Sequence, residues 1–233
     1  MNMKHLAKLT ALLAALTLMA LPSLSAEEAR PVHLILLSGQ SNMANLNPEK
    51  VFKPEIKKHF GAENVVIVKV AQNGQPIRRW YKGWKTAGAQ KPNQIGDTYN
   101  QLMEQTKAAM NGKSLKSVTF VWMQGERDAK EGLSGQYEEA FQGLLEQIKA
   151  DLKVAELHYV IGRISDHALG KKDWDQIRAI QQKLGEADPR AAWVNTDDLN
   201  DDDAKKPNDL HYSKAGYDLL AKRYVEKVKQ LVK

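Results

Sequence analysis

The sequence predicts an α/β protein, a three-layer sandwich with one five-stranded parallel sheet covered by helices on both faces. Three observations predict it. Short apolar runs alternate with longer amphipathic stretches along the chain. The runs are apolar at nearly every position, as strands buried on both faces require. Most of the runs end in glycine or polar turn residues, and 233 residues suffice for one sizeable core.

Taken in order, Val32 to Leu37 is the first strand, running out into Ser38-Gly39-Gln40-Ser41-Asn42. If a helical turn starts there, the backbone N–H groups around Ser41 are left without partners inside the helix. Residues 45 to 60 read as a polar loop and a short helix, punctuated by Pro48 and Pro54. Val65 to Val70, rich in β-branched residues, is the second strand, and it ends in the turn signal Gln72-Asn73-Gly74. A long connection follows, carrying Trp80, Tyr81 and Trp84. These aromatics are either core packing beneath a long loop or a stacking platform for sugar rings. Asp97 could cap a helix that runs to Met110 and closes at Asn111-Gly112. Ser117 to Trp122 is the third strand, ending in Met123-Gln124-Gly125-Glu126-Arg127-Asp128. The helix after it, about Ser134 to Lys149, has Tyr137, Phe141, Leu144, Leu145 and Ile148 on one face. Leu157 to Ile164 is the fourth strand, leading to Ser165-Asp166-His167. Asp173 is expected to cap a helix that turns Trp174, Ile177, Ile180 and Leu184 inward. Ala191 to Val194 is the fifth strand, and the last helix spans Ser213 to Val232. Five strands in this alternation suggest a flavodoxin-like order, which brings the carboxyl ends of the strands to one edge of the sheet.

The first 26 residues read as a secretory signal peptide. Lys4 and Lys8 precede an apolar run from Leu9 to Leu21, followed by Pro22 and small residues up to Ala26. Cleavage is expected after Ser25 or Ala26, and the run is too short to span a bilayer. Residues 27–233 then form one domain, exported to the periplasm or secreted, with no stable membrane insertion after cleavage. The formal charge of +6 falls to +4 without Lys4 and Lys8. The basic residues are scattered and not interleaved with aromatics, which argues against a nucleic-acid groove. Without cysteine, disulfides, thiolate nucleophiles and Cys-ligated metals are excluded. Asp197, Asp198 and Asp201 to Asp203 match a calcium loop in composition only, and read as a solvated loop. No metal or organic cofactor is expected. Oligomeric state cannot be read from the sequence.

The strand ends carry chemistry together. Acyl transfer needs a hydroxyl nucleophile, a base and N–H donors for a developing oxyanion. Ser41 could supply the first and His211 the second. The backbone N–H groups of Ser41 and Gly74 and the side-chain amide of Gln124 could supply the third. Each also has a plainer reading: Ser41 and Asn42 as helix-capping residues, His211 as a surface histidine, Gln124 and Glu126 as structural polar groups. His167 has no evident partner in the sequence and reads as surface. His33, among the apolar residues of the first strand, reads as structural.

The segments Gly39-Gln40-Ser41-Asn42, Gln72-Asn73-Gly74, Trp122-Met123-Gln124-Gly125-Glu126-Arg127-Asp128 and Asp209-Leu210-His211-Tyr212 together resemble the SGNH hydrolase superfamily. Within it they resemble the sialate O-acetylesterase-like branch, which includes carbohydrate acetylesterases. The resemblance implies a serine esterase that removes O-acetyl groups from a carbohydrate through an acyl-enzyme. It assigns Ser41 as nucleophile, His211 as general base and then acid, and Ser41, Gly74 and Gln124 as the oxyanion hole. Gln40, Asn42, Glu126 and Asp128 are assigned to supporting the site or contacting substrate. The superfamily places an aspartate three residues before the histidine, and this chain has Asn208 there. Asp209 is the preferred acid, with Glu126 or Asp128 reaching His211, or a Ser–His dyad, as the alternatives. Competing functions are a general short-chain aryl or lipase-like esterase and a catalytically degenerate glycan-binding protein.

Overall fold

The computed structural model describes residues 31–85, 94–200 and 210–233. The signal-peptide segment, Asn208 and Asp209 lie outside the described residues. Five strands, β1 (Val32–Gly39), β2 (Val65–Ala71), β3 (Leu115–Met123), β4 (His158–Gly162) and β5 (Ala191–Val194), form one sheet in the order β2-β1-β3-β4-β5. Every neighbouring pair is parallel. The three-layer flavodoxin-like architecture expected from the sequence is the one observed.

Strand alternation divides the core in two. Leu34, Leu36, Val68, Phe120, Trp122 and Ile161 face α3 (Asp97–Met110), α5 (Ser134–Leu152) and α6 (Lys172–Glu186). Ile35, Leu37, Val121, Met123, Val160 and Val194 face α1 (Ser41–Asn45), α2 (Phe52–Phe60) and α7 (Lys214–Leu231). Trp80 is fully buried, with its indole N–H donating to Ser38 Oγ at 2.8 Å and its ring edge-on to Trp122 at 5.2 Å. Tyr81 and Trp84 pack against the same core. These three aromatics are therefore core packing. His33 is also structural: its Nδ1 shares a hydrogen bond with Ser117 Oγ, and its ring lies 4.5 Å from that of Phe60.

Some local expectations change. Asp97 is the first residue of α3, after Gly96, and binds Arg79 instead of capping the helix. Asp173 lies inside α6, where it accepts a hydrogen bond from Ser134 Oγ. Ser213 does cap α7, accepting from Gly216 N at 2.9 Å. Asp197 and Asp198 are ion-paired, the first with Arg163 and Arg178 and the second with Arg223, so this end of the acidic loop is anchored as well as hydrated. No helix among the described residues is long and apolar enough to cross a membrane.

What positions a site is the register. Gly39 lies level with Ala71 on one side and Met123 on the other. The loops leaving β1, β2 and β3 therefore start side by side. At the end of β1 the backbone presses against β3: Gln40 N donates to Met123 O at 2.9 Å. Gly39 adopts φ +148°, and a Cβ there would lie 1.9 Å from Met123 O. Only glycine meets both demands. Gly39→Ala is expected to cost about 3 kcal/mol or more, because the clash is with backbone and no side chain can yield. Chemical denaturation checks this, and a variant within about 1 kcal/mol of wild type would contradict the close approach.

Candidate active site

Ser41 is the first residue of α1, directly after the Gly39–Gln40 crossing, and its side chain opens on a cavity of about 800 Å³. Gly74, from the turn after β2, reaches the same cavity with φ +63°. Glu126, the first residue of α4 (Glu126–Glu131) after β3, forms part of its wall. His211, exposed and three residues before α7, lies on that wall as well. Four loops far apart in sequence thus meet at one cavity, as the level strand ends require.

Behind the cavity, buried polar groups tie the loops together. Gln40 Oε1 accepts from Arg127 N at 3.1 Å, so Gln40 supplies an acceptor to the first turn of α4, whose own N-cap, Gly125, has no side chain. Gln124 has no exposed surface. Its Nε2 donates to Asp128 Oδ2, to Gln75 O at 3.1 Å and, more distantly, to Gln40 Oε1 at 3.3 Å. Asp128 Oδ2 also accepts from Ile77 N at 2.9 Å. The sequence reading aims the Gln124 amide at an oxyanion. Instead it stands behind the cavity wall, with its N–H groups directed at protein acceptors. The turn carrying Gly74 is held from its other side by Arg79, which donates to Gln72 and Gln75 and pairs with Asp97 through both carboxylate oxygens. Arg79 carries no motif signal, since its role depends on a fold that brings Gln72, Gln75 and Asp97 around it.

Asn42 is fully buried beside the serine. Its Nδ2 donates to Glu126 Oε1 at 2.9 Å and to Leu210 O at 3.1 Å. Glu126 Oε2 has no hydrogen-bond partner among the described residues. Burial raises the Glu126 carboxyl to about 6, against the opposing hydrogen bond from Asn42. Burial likewise raises Asp128 to about 7, although Gln124 and Ile77 stabilise its anion.

The opposite wall comes from the loop between β4 and α6. His167, read from the sequence as surface, lies on it, with its ring 5.8 Å from that of Trp174. Trp174 donates to Ser165 O at 2.7 Å, which fixes its indole as part of the wall. Lys171 from this loop and Lys172 at the start of α6, with Arg127 and Lys130 from α4, set four cations around the cavity against the carboxylates of Glu126 and Asp173. Arg127 is shared with Glu131 at 2.6 Å. The sequence signal for this wall is only its position after a parallel strand. No group of three or more His, Asp or Glu residues suited to a metal occurs among the described residues.

A model of the carbohydrate esterase family described as sialic acid-specific acetylesterase matches residues 44–230. The chain belongs to this family. It is a carboxylic ester hydrolase of carbohydrate acetylesterase type. No curated protein matches it in sequence. Among solved structures it is similar to an Arabidopsis thaliana protein, with TM-score 0.63 and 18% identity over 85% of this chain and 98% of that one. It is similar to a carbohydrate acetylesterase from Xanthomonas citri, with TM-score 0.61 and 18% identity over 86% of this chain, and it spans 56% of that enzyme's length. It is also similar to NanS, with TM-score 0.60 and 15% identity over 86% of this chain and 97% of that one. At these identities the likeness is one of fold, the SGNH hydrolase fold. The family match begins just after Ser41, so the role of the serine is argued from its position.

The buried acids make stability depend on pH in a definite direction. A carboxyl whose folded pKa is raised stabilises the fold most when protonated, and that contribution is lost as pH rises from its unfolded value through its folded one. For Asp128 the window runs from about 4 to about 7. Asp128→Asn removes the titration while keeping an acceptor for Ile77 and Gln124. Its stability relative to wild type should improve by about 2–3 kcal/mol between pH 5 and pH 8. Denaturant unfolding at both pH values measures this, and a pH-independent difference would contradict the buried, protonatable carboxyl.

Proposed function

We propose that this esterase is an exported serine hydrolase that removes O-acetyl groups from an acidic sugar of the sialic type by a Ser–His acyl-enzyme mechanism. One observation carries the mechanism: Ser41, Gly74 and His211 border a single cavity. In this reading His211 takes the Ser41 hydroxyl proton as Ser41 Oγ attacks the acetyl carbonyl. The backbone N–H groups of Ser41 and Gly74 receive the oxyanion. His211 then returns the proton to the departing sugar oxygen, leaving an acetyl ester on Ser41. Water, deprotonated by His211, attacks this ester, and acetate leaves as Ser41 Oγ regains the proton.

Asp209, two residues before His211, is our assignment for the group that orients it. Glu126 is the second carboxylate on hand, since it shares the cavity wall with His211 and has an uncommitted oxygen. Asp128 is committed behind the wall to Ile77 and Gln124. Gln124 supports the hole from the rear by holding the Gln75 carbonyl.

Two features support an acidic sugar. The family description names sialic acid. The rim lysines Lys130, Lys171 and Lys172 offer positive charge where a sugar carboxylate would approach. Export rests on the basic and apolar pattern of residues 1–26.

Acetate release from an O-acetylated sialic acid tests the mechanism. Ser41→Ala and His211→Ala should each lower kcat at least about a thousandfold in a folded protein. Turnover near wild type in Ser41→Ala would overturn it. Loss with Asp209→Asn but not with Glu126→Gln assigns the acid to Asp209, and the reverse assigns it to Glu126. For the substrate, Lys171→Ala/Lys172→Ala should raise KM about three- to tenfold for the sialic substrate and leave a neutral acetylated sugar unchanged. An equal change for both substrates would contradict carboxylate recognition.

A further inference from the structure

We infer that Asn42 is a positioning residue: its side-chain amide sets the distance between the segment carrying His211 and the serine beside it. The inference rests on the Ser–His reading above and concerns what holds that pair in register.

Residues 210–213, which carry His211 into α7, form neither helix nor strand. A base on such a stretch needs an anchor on each side to keep one geometry. The downstream anchor is Ser213, whose N–H donates to Leu199 O at 3.1 Å. Among the described residues the upstream anchor is Asn42, which donates to the carbonyl of Leu210, the residue next to His211. Asn42 is also the residue next to Ser41. Nucleophile and base are therefore joined by one hydrogen bond between their immediate neighbours.

The amide is itself held rigidly. One Nδ2 hydrogen goes to Leu210 O and the other to Glu126 Oε1, and Oδ1 accepts from Tyr217 OH at 2.9 Å. Asn45 Nδ2 donates to the same Tyr217 hydroxyl at 3.1 Å, so two residues of α1 hold one hydroxyl of the first turn of α7. An asparagine suits this place because it alone donates twice and accepts once within so short a side chain. Aspartate would lose both donors and set a second carboxylate against Glu126. Alanine would leave the Glu126 carboxylate, the Leu210 carbonyl and the Tyr217 hydroxyl each short of one bond.

A displacement of about 1 Å between reacting groups can cost about a hundredfold in rate. Losing this tie should therefore lower kcat while leaving KM in place, because Asn42 is buried behind the sugar-binding wall. It should also slow the reaction of Ser41 with a fluorophosphonate, which needs the serine and its base but no sugar. A purely structural role would not move that rate in a folded protein.

The experiment compares Asn42→Ala and Tyr217→Phe with wild type, and with Ser41→Ala and His211→Ala, on acetate release and fluorophosphonate labelling. Asn42→Ala is expected to lose about ten- to a hundredfold in both kcat and labelling rate, with KM within about twofold. Tyr217→Phe, which leaves Asn42 in place but frees its Oδ1, is expected to lose about three- to tenfold in both, and it carries the test if Asn42→Ala does not fold. Wild-type labelling rates in the folded variants would overturn the inference while Ser41→Ala and His211→Ala stay inactive. Turnover retained in Ser41→Ala or His211→Ala would instead show that the Ser–His reading had failed, and the inference with it.

Discussion

The site depends on one close approach. Because Gly39 has no side chain, the end of β1 can press against the carbonyl of Met123 and hand its next N–H to it. This contact locks the serine turn to the end of β3 at the place where the sheet order reverses, with β2 on one side of β1 and β3 on the other. Open parallel sheets bind ligands at such a switch point, where loops from neighbouring strands diverge and leave a crevice. Here the crevice receives Ser41 from one loop, Gly74 from the second and Glu126 from the third.

Holding those loops costs stability. Gln40, Gln124 and Asp128 are buried polar groups, and two buried carboxyls, Glu126 and Asp128, are pushed well above their ordinary range. An apolar filling of the same volume would carry no such penalty. What the polar filling adds is direction. Gln40, Gln124 and Asp128 each bond a backbone group in another loop, and Glu126 bonds the Asn42 side chain, so the loops keep one relative position. The two cavity walls divide the labour: the strand-end wall carries the groups assigned to chemistry, while the α4 and α6 rim carries the charge assigned to recognition.

The layout of the fold was legible because buried parallel strands are written as unbroken apolar runs and the longer helices keep an amphipathic face. Strand ends differed by a few residues at most, as with β4, which spans His158–Gly162 instead of Leu157 to Ile164. Helix α4 was not foreseen, because six residues rich in charge show no apolar period; tertiary contacts hold it, Gln40 among them. Within the site, Ser41, Gly74 and His211 could be read from their places after strands or before a helix. The orientation of Gln124 could not, since an amide at a strand end points toward the loop or behind it according to acceptors that only the fold supplies. The aromatics were legible in part: Trp80, open between core and platform, is sealed in the core by Ser38 and Trp122, and Trp174, expected inward on its helix, is buried there and also lines the cavity.

The proposed mechanism requires Ser41 to carry the acyl group. Rapid acid quenching during turnover of an O-acetylated sialic acid, followed by peptide mapping, would trap that intermediate. An acetyl group is expected on the peptide containing Ser41, absent from His211→Ala and lost on prolonged incubation. Acetyl found on another residue, or steady acetate release that persists in Ser41→Ala without any covalent adduct, would contradict it.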